Sequence, residues 1–460
     1  MVKSEIKDFT SGGIMRALLV FSLPLFLSNL LQIVYGLVDM MVVGAVHGDA
    51  GISAVSVGGD ITTLLTFVGM GFSAAAQVLI ARFVGSGEQR RIGRFVGTMG
   101  GFLAVSALVL SVLGLIFRHP LLKMMNTPAE SYEGALEYSV ICTAGLLFIY
   151  GYNIVGSVLR GMGDSKHPFM FICIAAAINV VLDVLLVVVL RMGVAGAAVA
   201  TVASQATSFI ISLIYLYRHR ERFGLMVGLR DFINWDRAML TDLVRLGTPM
   251  AIKTASIQVS KLFVNSYINS YGIDVSAFAG IANKISSVAN LISAAMNAAG
   301  STMVGQNIAA GKFDRVRRIL ADLAIITLII AAVFSAAMIM FPSAIYSLFG
   351  GSDEVLLIGE GYVYIAVLLF LAAALRAVMN ALINGSGNYK INFVTAILDG
   401  IVMRIGLSLL FGIALGMEHY GFWLGDALAG FTPFLVGLGF YFTGIWKRGA
   451  VKRASEYEDE

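Results

Sequence analysis

Charge is the scarcest ingredient of this chain. Only 13% of its 460 residues are Asp, Glu, Lys or Arg, whereas 58% are hydrophobic. A soluble domain carries roughly 25% charged residues, so too few polar groups remain here to cover a globular surface in water. Cysteine is nearly absent too. Cys142 and Cys173 are the only two, both inside apolar runs, which argues against a disulfide framework or a thiolate metal site. The five histidines, at 47, 119, 167, 219 and 419, show no ligand spacing. There is no GxxxxGK[ST] phosphate loop, and no Ser/His/Asp, Cys/His or zinc constellation stands out. An ATP-driven machine is thereby excluded, and no enzyme is expected; GMGDSK is read as a turn between helices. The net charge of +4 suits loops beside a membrane and does not suggest nucleic acid.

What the chain has instead is apolar length. Mean hydropathy is +0.85, and runs long enough to cross a bilayer as helices, about 20 residues each, recur from end to end. The 50 glycines suit helices that pack closely in lipid. The opening stretch MVKSEIKDFTSGGIMRALLVF lacks a short apolar region followed by a small-residue cleavage site, and reads as a cytoplasmic lead into the first span. Twelve spans are expected, at about 15–45, 52–81, 95–117, 134–159, 168–190, 194–217, 242–271, 276–308, 319–349, 357–383, 391–415 and 421–446.

Basic residues support that count. Lys253, Lys261, Lys284, Arg376 and Arg404 fall within spans, and one set of alternate connections holds only Arg118, Lys123 and Arg191. All other Lys and Arg collect in the opposite set, from Lys3 and Lys7 to Lys452 and Arg453. This bias orients both termini towards the cytoplasm of a cell-membrane protein.

The chain also repeats. VLRGMGDSK (158–166) resembles LINGSGNYK (382–390), aligning Gly161 and Gly163 with Gly385 and Gly387 at an offset of 224. VGSGEQRRI aligns with AAGKFDRVRRI at the same offset, and Pro24 of SLPLFLSNL meets Pro249 of GTPMAIKTA at 225. Two six-helix units of equal orientation follow, a pattern some transporter folds share. The expected architecture is an all-α polytopic membrane protein of twelve transmembrane helices in two pseudo-symmetric six-helix bundles. Its expected parts are an N-lobe at 1–217, a cytoplasmic link at 218–241, a C-lobe at 242–446 and a cytoplasmic tail at 447–460.

Ionisable groups at bilayer depth are costly and usually face a cavity or a partner. In the first half these are Asp39 of the first span and Asp183 of the fifth. Asn179 lies one helical turn before Asp183, on the same face, and Thr201 belongs to the Gly/Ala-rich sixth span. No Lys or Arg in this half lies deep enough to neutralise the acids. Two carboxylates, an amide and a hydroxyl form a hard-oxygen set suited to Na⁺; carboxylic acids in poorly solvated surroundings also suit carrying a proton. The same polar groups could instead bridge helices through hydrogen bonds. Asp60, near the end of the second span, reads as solvated.

The deep charges of the second half are mostly basic: Lys253, Lys261, Lys284, Arg376 and Arg404, with Asp399 and Asp426 as possible partners. Gln32, Tyr35, Asn153, Lys253, Lys261, Arg376 and Asn380 are candidates to line a substrate cavity. Alternatively, Arg404 pairs with Asp399 and the lysines snorkel to an edge. Pro24, inside the helix that carries Asp39, removes a backbone hydrogen bond and permits a kink. Such a bend would couple ion occupancy to helix shape.

Taken together, the SLP of the first span, VDMMVVG around Asp39, the LRGMGD turn, INVVLD and GAAVAT resemble the multidrug and toxic compound extrusion (MATE) transporters over nearly the whole chain. The resemblance implies a V-shaped pair of lobes that exports amphipathic, often cationic compounds in exchange for Na⁺ or H⁺. It implies no cofactor, a bilayer and small amphipathic molecules as partners, and a monomer. The family's cation site falls on Asp39, Asn179, Asp183 and Thr201, and its kinking proline on Pro24. One branch of the family also has carboxylates in the seventh and tenth helices. Here PMAIKTASIQVSKLF and FLAAALRAVMNAL hold Lys253, Lys261 and Arg376 and no acid, which favours the branch that uses the N-lobe. Two other readings fit the sequence: a flippase for a lipid-linked precursor of the same superfamily, and a channel or receptor.

Overall fold

The structure is a computed structural model that describes residues 6–225, 227–348 and 353–450. Lys3, Lys452 and Arg453, and the tail beyond residue 450, lie outside the described residues. The described chain is built of helices. The first two spans form one stretch, Ile14–Gly85, broken only at Gly48. There φ is 60°, a left-handed turn that glycine takes without a Cβ clash.

Span three is Gln89–Ile116, and span four is the pair Tyr132–Ala144 and Leu146–Gly161, bent by 51° at Gly145. Spans five and six are Lys166–Asp183, continued by Val184–Val189, and Gly193–Arg218. Spans seven to ten are Arg237–Asn269, Ile273–Ala309, Phe313–Met340 and Asp353–Gly385. Span eleven runs from Tyr389 to Ala414, and span twelve joins Glu418–Ala429 to Thr432–Thr443.

Two spans depart from expectation. The ninth stops at Met340, not near 349, because Pro342 opens a separate short helix, Pro342–Ser347. The seventh is long enough to cross a bilayer at 33 residues but is the least apolar, since it carries Lys253, Lys261 and several hydroxyl and amide groups. On other helices the apolar face points outward. In span three, Val105, Leu108, Val112 and Ile116 are exposed at three- and four-residue spacing, the pattern of a stripe facing lipid.

The helices gather into two compact units, one built on Leu27–Ala251, the other on Asp8–Phe26 together with the chain from Ile252 onward. Two of the divisions between the units therefore fall inside helices, after Phe26 and after Ala251, each two residues beyond a proline, Pro24 and Pro249. The reason for the first division is visible in the packing. Phe9, Ile14, Leu18, Phe21 and Leu25 are buried in one hydrophobic cluster with Met303, Leu323 and Leu382. The segment before them is tied down by Arg315, which donates to the carbonyls of Phe9, Ser11 and Gly12, and by Lys312, which donates to Thr10.

Candidate functional site

The first unit holds a polar cluster wrapped in apolar helices. Asp39 (3% exposed), Asn179 (1%) and Asp183 (0%) are all buried. Asp183 and Asn179 lie against Asp39, and the Thr201 hydroxyl donates to Asp39 Oδ2 at 3.1 Å. The structure thus brings together all four residues expected to hold a cation, from spans one, five and six. Directly after Asp183 the helix widens, and Leu190 N–H donates to the carbonyl of Leu185 at 2.9 Å, five residues back. Wide turns of this kind recur at functional sites.

The cluster is polar but unsatisfied. Asp39 Oδ1, both Asp183 oxygens and both polar atoms of Asn179 are buried without a hydrogen-bond partner. Leaving such groups unmade costs on the order of 1–3 kcal/mol each, more for a charged one, and native cores avoid it. A set of oxygens that the fold buries together and leaves unbonded fits a small cation or a proton. The helix-bridging alternative accounts for Thr201 only.

Three residues that sequence reasoning did not select belong to this neighbourhood. Gln205 donates to the Tyr35 hydroxyl at 3.2 Å. Tyr138 and Cys142 of span four are buried close to Asp39. Gln205 follows Thr201 by one helical turn, a signal that could have found it. Tyr138 carries no such signal, because a tyrosine in a membrane helix reads as packing. Its position depends on Gly58, where an added Cβ would stand 2.8 Å from the Tyr138 ring.

The other candidates divide between the units. In the first, Gln32 is exposed and Asn153 spends its amide on the carbonyl of Ile149 at 2.8 Å. Asp60 is exposed. In the second, Lys253 donates to Asn380 Oδ1 at 2.7 Å, Lys261 to Ser286 at 3.2 Å, and Arg376 to Asn290 Oδ1 at 2.5 Å. Neither Lys253 nor Lys261 therefore reaches for an edge; Lys284 is exposed. Arg404 pairs with Asp399, as the sequence suggested, and also with Asp426.

Comparison with known proteins agrees with this architecture. The MatE family model matches residues 24–185 and 249–418, one block per half, each starting at its proline. A probable multidrug resistance protein of Bacillus subtilis, YoeA, is 28% identical over 445 residues, covering 96% of each chain. The multidrug export protein MepA of Staphylococcus haemolyticus is 21% identical over 420 residues, covering 90% of this chain and 91% of the relative. Among solved structures, an outward-facing multidrug resistance MATE transporter of the MOP superfamily superimposes with a TM-score of 0.88 at 20% identity, covering 97% and 99% of the two chains. A MOP superfamily transporter from Pyrococcus furiosus, described as having a binding pocket of reverse polarity, gives 0.87 at 21%, covering 98% and 99%. With a family match spanning both halves of its internal repeat, this membrane protein belongs to the MatE family.

Proposed function

We propose that this protein is a secondary active efflux transporter. It exports amphipathic small molecules across the cell membrane in exchange for Na⁺ or H⁺, which binds at Asp39, Asn179, Asp183 and Thr201. The observation that carries the reading is the group of buried, unbonded oxygens around Asp39 and Asp183. Empty, two facing carboxylates in a poorly solvated place repel one another. A cation or proton between them removes that repulsion and engages the oxygens that nothing else engages. A conformation that closes around the cluster is therefore favoured when it is filled, and disfavoured when it is empty. Only such a difference in affinity between two states lets an ion drive a conformational change.

The relatives named as multidrug export and resistance proteins support small amphipathic molecules as cargo. The basic loops support termini on the cytoplasmic side. Pro24, within the helix that carries Asp39, supports bending of that helix as the mechanical link between occupancy and transport. The test is dye efflux from vesicles under separately imposed Na⁺ and proton gradients, comparing the parent with Asp39→Asn and Asp183→Asn. Gradient-driven efflux is expected in the parent and absent in both variants. Pumping at the parental rate by both variants would overturn the proposal.

A further inference from the structure

The second unit sets its charges opposite to those of the first. Around Asp399 and Asp426 stand four cations, Arg404, Lys253, Lys261 and Arg376. Arg404 is 2% exposed and takes both carboxylates, donating to Asp399 at 3.1 Å and to Asp426. The remaining three cations hydrogen-bond only to neutral groups among the described residues: the Asn380 and Asn290 amide oxygens and the Ser286 hydroxyl. Asn290 itself donates to Ser286 at 3.4 Å, so Lys261 and Arg376 hang from one neutral relay with no carboxylate between them. All three are half-buried, not sealed, and can still be reached.

Cations held at membrane depth are kept for a partner, and here four cations stand around two acids, both of which hydrogen-bond Arg404. We propose that Lys253, Lys261 and Arg376 bind an anionic group, a phosphate or carboxylate, of the transported molecule. The forked guanidinium of Arg376 and the two ammonium groups match the oxygens of such a group. A cationic compound would meet repulsion at the same place. This names the substrate class of the transporter and rests on the efflux reading.

The test uses the full chain in phosphatidylcholine nanodiscs with carboxyfluorescein as the anionic probe and ethidium as the cationic one, binding being followed by fluorescence anisotropy. Carboxyfluorescein is expected to bind saturably, about tenfold tighter than ethidium, and to be displaced by pyrophosphate. Lys253→Gln and Arg376→Gln are each expected to weaken it about tenfold, and Lys253→Arg to retain most of it. Phosphatidylglycerol in the discs raises the apparent Kd if a lipid headgroup is the natural occupant, and leaves it unchanged if a soluble anion is. Ethidium binding as tightly as carboxyfluorescein in the parent, a comparison that needs no variant, overturns the proposal. So does parental carboxyfluorescein affinity in both Gln variants. Efflux that ignores Asp39 while anion binding still needs Lys253 would remove the coupling reading and leave this one standing.

Discussion

The Thr201 hydroxyl reaches Asp39 Oδ2 across 3.1 Å, and this bond is a rung between the first and sixth spans. A second rung is Gln205 to Tyr35. Tyr35 lies one turn before Asp39 and Gln205 one turn after Thr201, as expected for antiparallel helices that face each other at this level. The carboxylate is thus fixed by one oxygen while its second, Oδ1, stays unbonded. That division lets the helix pair hold Asp39 in place without consuming its capacity to bind.

Removing the hydroxyl tests this division. Thr201→Val keeps the shape and loses the bond, whose net worth is about 0.5–1.5 kcal/mol, or 1.5–3 to a charged group. The apparent affinity for the coupling ion is expected to fall by about tenfold, with Thr201→Ser near the parent. Efflux rate against ion concentration gives both values.

The coupling ion should declare itself through stability. A ligand that binds only the folded state at a hundred times its Kd stabilises by about 2.7 kcal/mol. Melting of the purified protein is therefore expected to rise with Na⁺ over choline if Na⁺ is the occupant, and not in Asp183→Asn. Melting that ignores Na⁺ at constant pH removes Na⁺ as the occupant.

Arg404 is the electrostatic hinge of the second unit. Arg404→Met removes the one side chain that hydrogen-bonds both Asp399 and Asp426, and breaking a buried pair in this way costs about 3–5 kcal/mol. Adding Asp399→Asn and Asp426→Asn to Arg404→Met is expected to recover most of it. Thermal melting in detergent distinguishes the two proteins, and equal melting temperatures would refute the pairing.

The Gly58–Tyr138 contact leaves no room for a methyl group. A Cβ on residue 58 would meet the ring at 2.8 Å, and overpacking of this kind costs about 1–3 kcal/mol. Gly58→Ala is expected to lower the melting temperature and to slow efflux by moving Tyr138. Gly59→Ala next door, where a Cβ meets nothing within 4 Å, is expected to leave melting near the parent.

The sequence by itself determined the membrane class, the run of helices and the internal repeat. The physical reason is that the hydrocarbon core admits few backbones: every N–H and C=O must be satisfied within the helix, so apolar length and basic loops are read almost directly. It also marked Asp39, Asn179, Asp183 and Thr201, because a polar group at that depth is expensive wherever it points. Only the tertiary structure decided which of these side chains meet, that Tyr138 and Gln205 join them, and that Arg404 takes both acids and leaves three cations to neutral partners. It also divided the chain into two compact units within the helices that carry Pro24 and Pro249. Those outcomes depend on how each helix is rotated and how near small residues such as Gly58 let its neighbour come. Such contacts arise between segments far apart in the chain, and no local pattern encodes them.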